Sequence, residues 1–268
     1  MIPTTSVGEQ LREWRVRRRY SQLELSNRAD ISTRHLSFVE TARSAPSREM
    51  LLRLAEHLDV PLRERNRLLL AGGFAPVYSE AGFDSEPLAA VRTALSQVLR
   101  AHEPFPAVVV DRWWNVVEAN SALGLFTAGL PAELLQPPVN VLRATLHPNG
   151  MAPTVINLGE WRAHLLGRLA RQVAATADPR LQDLLVELRE YPCAQPEPEV
   201  ELPGPGEVLV PLRVRDGKRE LSFLSTVATF GTPLDVTVSE LVIEAFYPAD
   251  EFTARALGVT RETPVDVI

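Results

Sequence analysis

SQLELSNRADISTRHLSFVE, residues 21–40, decides the fold of the first quarter of this 268-residue sequence. Ser21 followed three positions later by Glu24 is a capping box: the hydroxyl takes a free backbone N–H and the carboxylate reaches back to the cap. Leu25 and Ala29 give the helix its apolar side. Asp30-Ile31 turns the chain, and Ser32 caps a second helix, Thr33 to Glu40, with Leu36 and Val39 inward. Upstream, Val7, Leu11 and Trp14 recur at helical spacing, followed by Arg15–Arg19. Downstream, Ser47 opens a helix whose stripe is Leu51, Leu54, Ala55 and Leu58. Pro61 opens another as a first-turn proline, carrying Leu62, Leu68 and Leu69, and Gly72-Gly73 ends it. The expectation is an all-α, five-helix domain over residues 1–75.

Two short helices joined by such a turn form a helix-turn-helix, which lays one helix across a phosphate backbone and pushes the next into the major groove. Gln22, at the N-terminus of the first of the pair, is placed to hold a phosphate. Ser32, Thr33, Arg34, Ser37 and Phe38 lie toward the outer side of the second. An arginine there can bond guanine O6 and N7 bidentately, while the Thr33 methyl and Phe38 can meet a thymine methyl. Arg43, just past that helix, is a candidate phosphate clamp. Arg15 and Glu40 are a candidate structural ion pair between the first and third helices. The Arg17–Arg19 run reads as a solvated face.

The charge distribution agrees. The net charge is −6, yet residues 1–75 hold 13 arginines against nine acids, whereas the remainder holds 15 basic and 25 acidic residues. A basic segment on an acidic protein marks the part that meets a polyanion.

Residues 76–86 mix Gly, Ser, Pro and acids and read as a linker; the second domain is expected over residues 87–268. It opens with a helix, Leu88 to Arg100. Two β-rich runs follow, Ala107–Asp111 and Trp113–Ala119, and Asn120-Ser121 starts another helix. Helical segments include Glu160–Ala174 and Arg180–Glu190. Pro192–Pro205 is a proline-dense loop, after which Val208–Val214, Glu220–Phe230 and Val236–Phe246 read as strands. Asp216-Gly217 is a hairpin turn, and Gly231–Leu234 a second turn. This order implies an α+β domain with a mostly antiparallel sheet and helices grouped on one face.

The run from Gly8 through Pro76, notably LREWRVRRRYSQLELSNRADISTRHLSFVE and PSREMLLRLAEHLDVPLRERNRLLLAGGFAP, resembles the Cro/repressor-type helix-turn-helix of the XRE family, with a lambda-repressor-like fold. The resemblance implies that Gln22 touches phosphate, that Arg15 and Glu40 form an internal salt bridge, and that Thr33, Arg34 and Phe38 face bases. One departure stands out: the turn position held by Asp30 is often Gly there, because it can require φ > 0, which Asp tolerates better than most residues. VVVDRWWNVVEANSAL (108–123) looks like the opening of a PAS-type fold. With HEPFPAVVVDRWWNVVEAN, NVLRATLHPNGMAP, WRAHLLGRLAR and LSFLSTVATFGTPLDVTVSELVIEAFYPAD, the stretch Pro87–Ala254 resembles the PAS-like ligand-binding domain of MmyB-like regulators. The resemblance implies a small apolar ligand, with fatty acid associated with the family.

From the residues themselves, two readings of this domain stand: an apolar pocket with a few polar groups, or a solid core with satisfied hydroxyls. Candidate lining residues are Trp114, Phe126, Trp161, Leu165, Phe223, Thr226 and Phe230. In the strand around ELSFLSTVATF both faces mix polar and apolar side chains, so Ser225, Thr226 or Thr229 is a candidate interior hydroxyl. Catalysis has no support. His57, His102, His147 and His164 are scattered without metal-ligand spacing, and His35 lies in the reading helix. No Gly-rich phosphate loop or G-x-S-x-G elbow occurs. A single cysteine, Cys193, offers no intramolecular disulfide; no 18-residue apolar run exists, and the start lacks a signal-peptide layout. The expected protein is cytoplasmic, not an enzyme, and requires no metal or cofactor. It is a transcriptional regulator that binds double-stranded DNA as a homodimer on a palindromic operator, controlled by a small apolar, fatty-acid-like ligand. The alternative is a ligand-independent regulator whose second domain only dimerises or binds a protein partner.

Overall fold

A computed structural model of the chain describes residues 6–198 and 209–258. The packing divides it into two units. The first takes residues up to Gly82, together with Ala174–Thr176 and Thr232–Ser239; the second takes the rest.

In the first unit, α1 (Val7–Arg17), α2 (Gln22–Arg28), α3 (Thr33–Glu40), α4 (Arg48–His57) and α5 (Leu62–Ala71) follow one another with short turns. Local chemistry starts them. Ser6 and Ser21 form complete capping boxes with Glu9 and Glu24, and the hydroxyls of Ser32 and Ser47 accept the backbone N–H of His35 and Met50. Each such cap is worth about 1 kcal/mol. The Ser6–Glu9 box was not anticipated from the sequence. The helices bury Leu11, Trp14, Leu25, Leu36, Leu51, Leu54, Leu58, Leu68 and Leu69 in one core. Asp30 takes φ +50°, the left-handed conformation that the α2–α3 turn demands. The stretch after α5, expected as a linker from 76, is pinned at its start: the Asn66 carbonyl oxygen accepts the N–H groups of Val77 and Tyr78, and its amide donates to the Tyr78 carbonyl at 2.8 Å.

The second unit begins with α6 (Ala89–Ala101), β1 (Ala107–Val110) and β2 (Val116–Ala119). Then come α7 (Gly124–Thr127), α8 (Val141–Leu146), α9 (Leu158–Thr176) and α10 (Pro179–Glu190). The chain returns as β3 (Leu212–Asp216) and β4 (Arg219–Ala228), passes through the single turn α11 (Val236–Ser239), which is grouped with the first unit, and ends its described part with β5 (Val242–Pro248) and α12 (Glu251–Ala256). The five strands form one antiparallel sheet in the order β2-β1-β5-β4-β3.

Three expectations need correction. The run Val236–Phe246 is not one strand: Asp235 accepts the N–H of Thr237 and starts α11, so β5 begins at Val242. The helices do not share one face of the sheet. Val108, Glu244 and Phe246 point to the side of α7–α10, whereas Ala107, Val109, Ile243 and Ala245 point to the other and pack with Leu95 and Leu99 of α6. Third, β1 and β2 are separated by a longer turn than Arg112 alone, since Trp113 and Trp114 belong to the hairpin tip. Part of the Pro192–Pro205 loop, the start of the Val208–Val214 run and the last ten residues of the expected 87–268 domain lie outside the described residues.

Candidate DNA interface and ligand cavity

The reading surface is built from the inside outward. Gly8 of α1 lies so close to α3 that a Cβ there would fall 2.1 Å from the Val39 carbonyl oxygen. This close approach brings Arg15 onto Glu40, whose side chain is only 1% exposed, with Nε to Oε1 at 2.6 Å and Nη2 to Oε2 at 2.8 Å. The remaining arginine nitrogen Nη1 donates to the Tyr20 carbonyl at 2.8 Å. The bond to Glu40 raises the Arg15 pKa above its ordinary value. The Gln22 amide donates to the same carboxylate at 2.8 Å. The N-terminus of α2 is therefore tied to the C-terminus of α3. The Ser26 and Thr33 hydroxyls bond each other at 2.8 Å across the turn, so the Thr33 hydroxyl is engaged within the turn.

Outside this clamp, Arg34 is exposed on α3 and Phe38 is half-buried beside it, the guanidinium 5.3 Å from the ring centroid. Ser37 is half-buried, and Ser32 is exposed with its hydroxyl engaged as the cap. Arg43 is exposed where the chain leaves α3, its backbone N–H bonded to the Phe38 carbonyl at 2.8 Å. The arginine run is not uniformly a solvated face. Arg18 donates to the carbonyls of Leu58 and Asp59 at 2.8 Å each, closing the end of α4, and Arg17 and Arg18 lie against the Trp14 ring. Neither Gly8 nor the carbonyl-capping role of Arg18 has a local sequence signal, because each depends on a partner at least 31 residues away.

In the second unit a cavity of about 240 Å³ lies between the sheet and α7–α9. Trp114, Phe126, Trp161 and Leu165 line it as expected residues, together with Val108, Val116, Leu142, Ala144, Met151 and Phe246. Phe223, Thr226 and Phe230 do not. Phe223 sits one layer behind, edge-on to Phe126 at 5.3 Å. Thr226 is exposed and pairs with Ala245, so it points to the α6 side of the sheet, away from the cavity. Phe230 packs with the α6 cluster on the opposite side.

The hairpin tip sets one wall. Asp111 accepts the backbone N–H groups of Trp113 and Asn115 and the Asn115 amide, which tightens the turn. Trp114 is held there at φ +68°, an uncommon conformation for a bulky residue that tertiary contacts must enforce. Its indole N–H donates to Gln172 Oε1 at 2.7 Å, and the Arg168 guanidinium stacks over its ring at 4.8 Å. Arg168 is bonded to Glu244 at 2.8 Å. Glu244, 4% exposed, contributes the lining's charged group, already paired. The lining hydroxyls of Thr127 and Thr145 donate back to the carbonyls of Leu123 and Val141. Trp161 is different: it is 2% exposed, and its Nε1–H has no partner among the described residues. A buried donor left unmade costs about 1–3 kcal/mol.

Among the described residues, no three His, Cys, Asp or Glu side chains gather as a metal site, and no helix is long and apolar enough to cross a membrane. Cys193 is half-buried, its thiol 3.5 Å from the Gln195 carbonyl.

A helix-turn-helix unit and a separate α+β unit with an apolar cavity in one chain are the parts of a DNA-binding transcription regulator. Residues 91–258 match the model of the MmyB-like transcription regulator ligand binding domain, and residues 11–65 match a helix-turn-helix model. The first match covers more than half of the chain, which therefore belongs to the MmyB-like transcription regulators and is a DNA-binding protein through its helix-turn-helix. Comparison with curated proteins finds no match. Among solved structures, the SinR protein/SinI protein complex is similar at 25% identity over 35% of this chain and 82% of that chain, with a TM-score of 0.22.

Proposed function

We propose that this regulator reads a specific palindromic DNA sequence as a homodimer, and that a small apolar molecule held in the cavity of the second unit controls it. For DNA, the supporting observation is the exposed Arg34–Phe38 face of α3, presented by a helix whose far end is locked through Glu40. One such head contacts only a few base pairs, so a dimer with half-sites about one helical turn or a multiple apart supplies the selectivity a regulator needs. Catalysis is not part of the reading.

For the ligand, the carrying observation is the cavity: lined by aromatic and aliphatic side chains, with few polar groups, it has the character of a small-molecule site. A ligand switches the protein only as far as it binds the DNA-competent and incompetent states unequally. The test is native mass spectrometry of the purified protein, followed by operator binding before and after delipidation. A stoichiometric apolar adduct whose removal changes operator affinity supports the reading. A protein that binds its operator equally well with and without any such molecule makes the second unit a dimerisation or partner-binding domain instead.

A further inference from the structure

Arg34 and Phe38 stand one turn apart on α3. Side chains on a helix lean toward its N-terminus, so Phe38 leans back toward Arg34. The guanidinium lies over the ring, 5.3 Å from its centroid, within the range at which a cation is drawn to an aromatic face. Among the described residues no carboxylate pairs with Arg34, so the ring is what restrains its long side chain. Phe38 is itself held. It is half-buried, and its carbonyl accepts the N–H groups of Arg43 at 2.8 Å and Ser44 at 3.2 Å. The Ala42 N–H bonds the Val39 carbonyl at 3.1 Å with Ala42 at φ +56°, which completes a left-handed stop of the Schellman type. The ring beside Arg34 is therefore anchored by the same turn that carries Arg43.

An exposed arginine gives up much rotamer freedom when it takes one geometry against a base. A side chain already laid on a ring gives up less, and the saving appears as selectivity. A ring, unlike a carboxylate, offers no strong acceptor, so the Arg34 N–H donors stay available for guanine O6 and N7. We propose, on the reading that Arg34 meets a guanine, that Phe38 is the positioning residue of base recognition: its ring holds the Arg34 guanidinium toward the groove. Phe38 then sets the strength of preference at the base position that Arg34 reads, rather than meeting a thymine methyl of its own.

The test is binding selection of the full chain from randomised double-stranded DNA, followed by affinities for the selected duplex and its single-base-pair variants. The ratio of two such affinities cancels any change in the folded fraction. Arg34→Ala first identifies the base position that Arg34 reads. Phe38→Leu keeps an apolar side chain in the half-buried site and removes the ring face. It should cut the preference at that same position about two- to fivefold, the worth of an exposed arginine–aromatic contact, and leave the other positions unchanged. Phe38→Tyr retains the face and should keep the original preference. In the Arg34→Ala background, Phe38→Leu should change no preference, because no cation is left to hold. Phe38→Met, a second ringless side chain, supplies the same readout if the leucine variant does not fold. A loss at a different base position makes Phe38 a base contact in its own right and overturns the proposal. Unchanged preferences, a loss shared by all sequences, or an equal loss with and without Arg34 overturn it as well. If Arg34→Ala itself weakens every sequence alike, Arg34 holds the backbone and the base-reading assignment fails.

Discussion

Arg15 and Glu40 meet through two parallel hydrogen bonds, at 2.6 and 2.8 Å, across 25 residues of chain. The planar guanidinium matches the carboxylate edge for edge, which lysine does not do. Because Gln22 adds a third bond to the same carboxylate, one buried group holds α1, the start of α2 and the end of α3 in a fixed relation. Glu40→Ala leaves Arg15 unpaired in a largely buried position, a loss of about 3–5 kcal/mol. Hydrogen exchange should show α1–α3 opening roughly 150- to 5,000-fold more often, at about 1.4 kcal/mol per factor of ten, with affinity falling equally for every DNA sequence. Unchanged protection would mean that the pair is incidental.

Gly8→Ala tests the same packing from the backbone. The added methyl collides with the Val39 carbonyl, and neither side is a flexible tip that can swing away. We expect a loss at or above the usual overpacking range of about 1–3 kcal/mol, visible as a lower melting temperature together with weakened DNA binding. A neutral substitution would show that α1 and α3 are farther apart.

Substitutions at Arg34 and Arg43 test the proposed division between base reading and backbone holding. Arg34→Ala should cost about 1–3 kcal/mol and relax preference at one base position. Arg43→Ala should weaken all sequences alike and lower the slope of log affinity against log salt by about one. Binding selection followed by anisotropy across a salt series distinguishes them; the same uniform loss from both variants would make Arg34 a phosphate contact.

Ala144 lines the cavity, whereas Thr226 is exposed on the other face of the sheet. Ala144→Leu should fill space and abolish ligand uptake with little loss of melting temperature, while Thr226→Val should leave uptake unchanged. Retained uptake in Ala144→Leu would put the ligand elsewhere.

A pH effect is expected at Glu187. The Arg143 guanidinium, bonded to it at 2.7 Å through each of two nitrogens, and the Tyr191 hydroxyl hold its carboxyl below the ordinary range. A depressed carboxyl stabilises the fold fully above its unfolded pKa of about 4.3 and loses that contribution as pH falls through the lower folded value. Glu187→Gln should therefore flatten the acid limb of the stability curve and leave its shape near neutrality unchanged. Burial and the same carboxylate push the Tyr191 phenol up to about 12, so its contribution is present below about pH 10 and fades only as pH climbs from there toward 12. Acid and alkaline melts of both proteins provide the comparison.

The reading head was legible because its signals are local. Ser21 with Glu24, the Asp30 turn and the spacing of Leu25, Ala29, Leu36 and Val39 each act within one or two helical turns. Even Asp30 in place of glycine could be read as a tolerated left-handed residue. The cavity was half legible. Trp114, Phe126, Trp161 and Leu165 are large apolar groups, but alternation along β4 says only which side chains share a face. It does not say which face the cavity helices cover, and so Thr226 and Phe230, which share the α6 face, were misplaced while Phe223, on the cavity face, fell one layer behind.

The amino-acid sequence by itself determined the five-helix head, its caps at Ser21, Ser32 and Ser47, and most of the order of helices and strands in the second unit, since these follow from short-range hydrogen bonding and periodic burial. Tertiary structure alone decided that Gly8 must be glycine, that Arg18 closes α4, that Glu244 is paired by Arg168 76 residues earlier, and that the Trp161 N–H is left without a partner. Those facts depend on which distant groups come within about 3 Å of each other. Packing fixes that, and no local pattern encodes it.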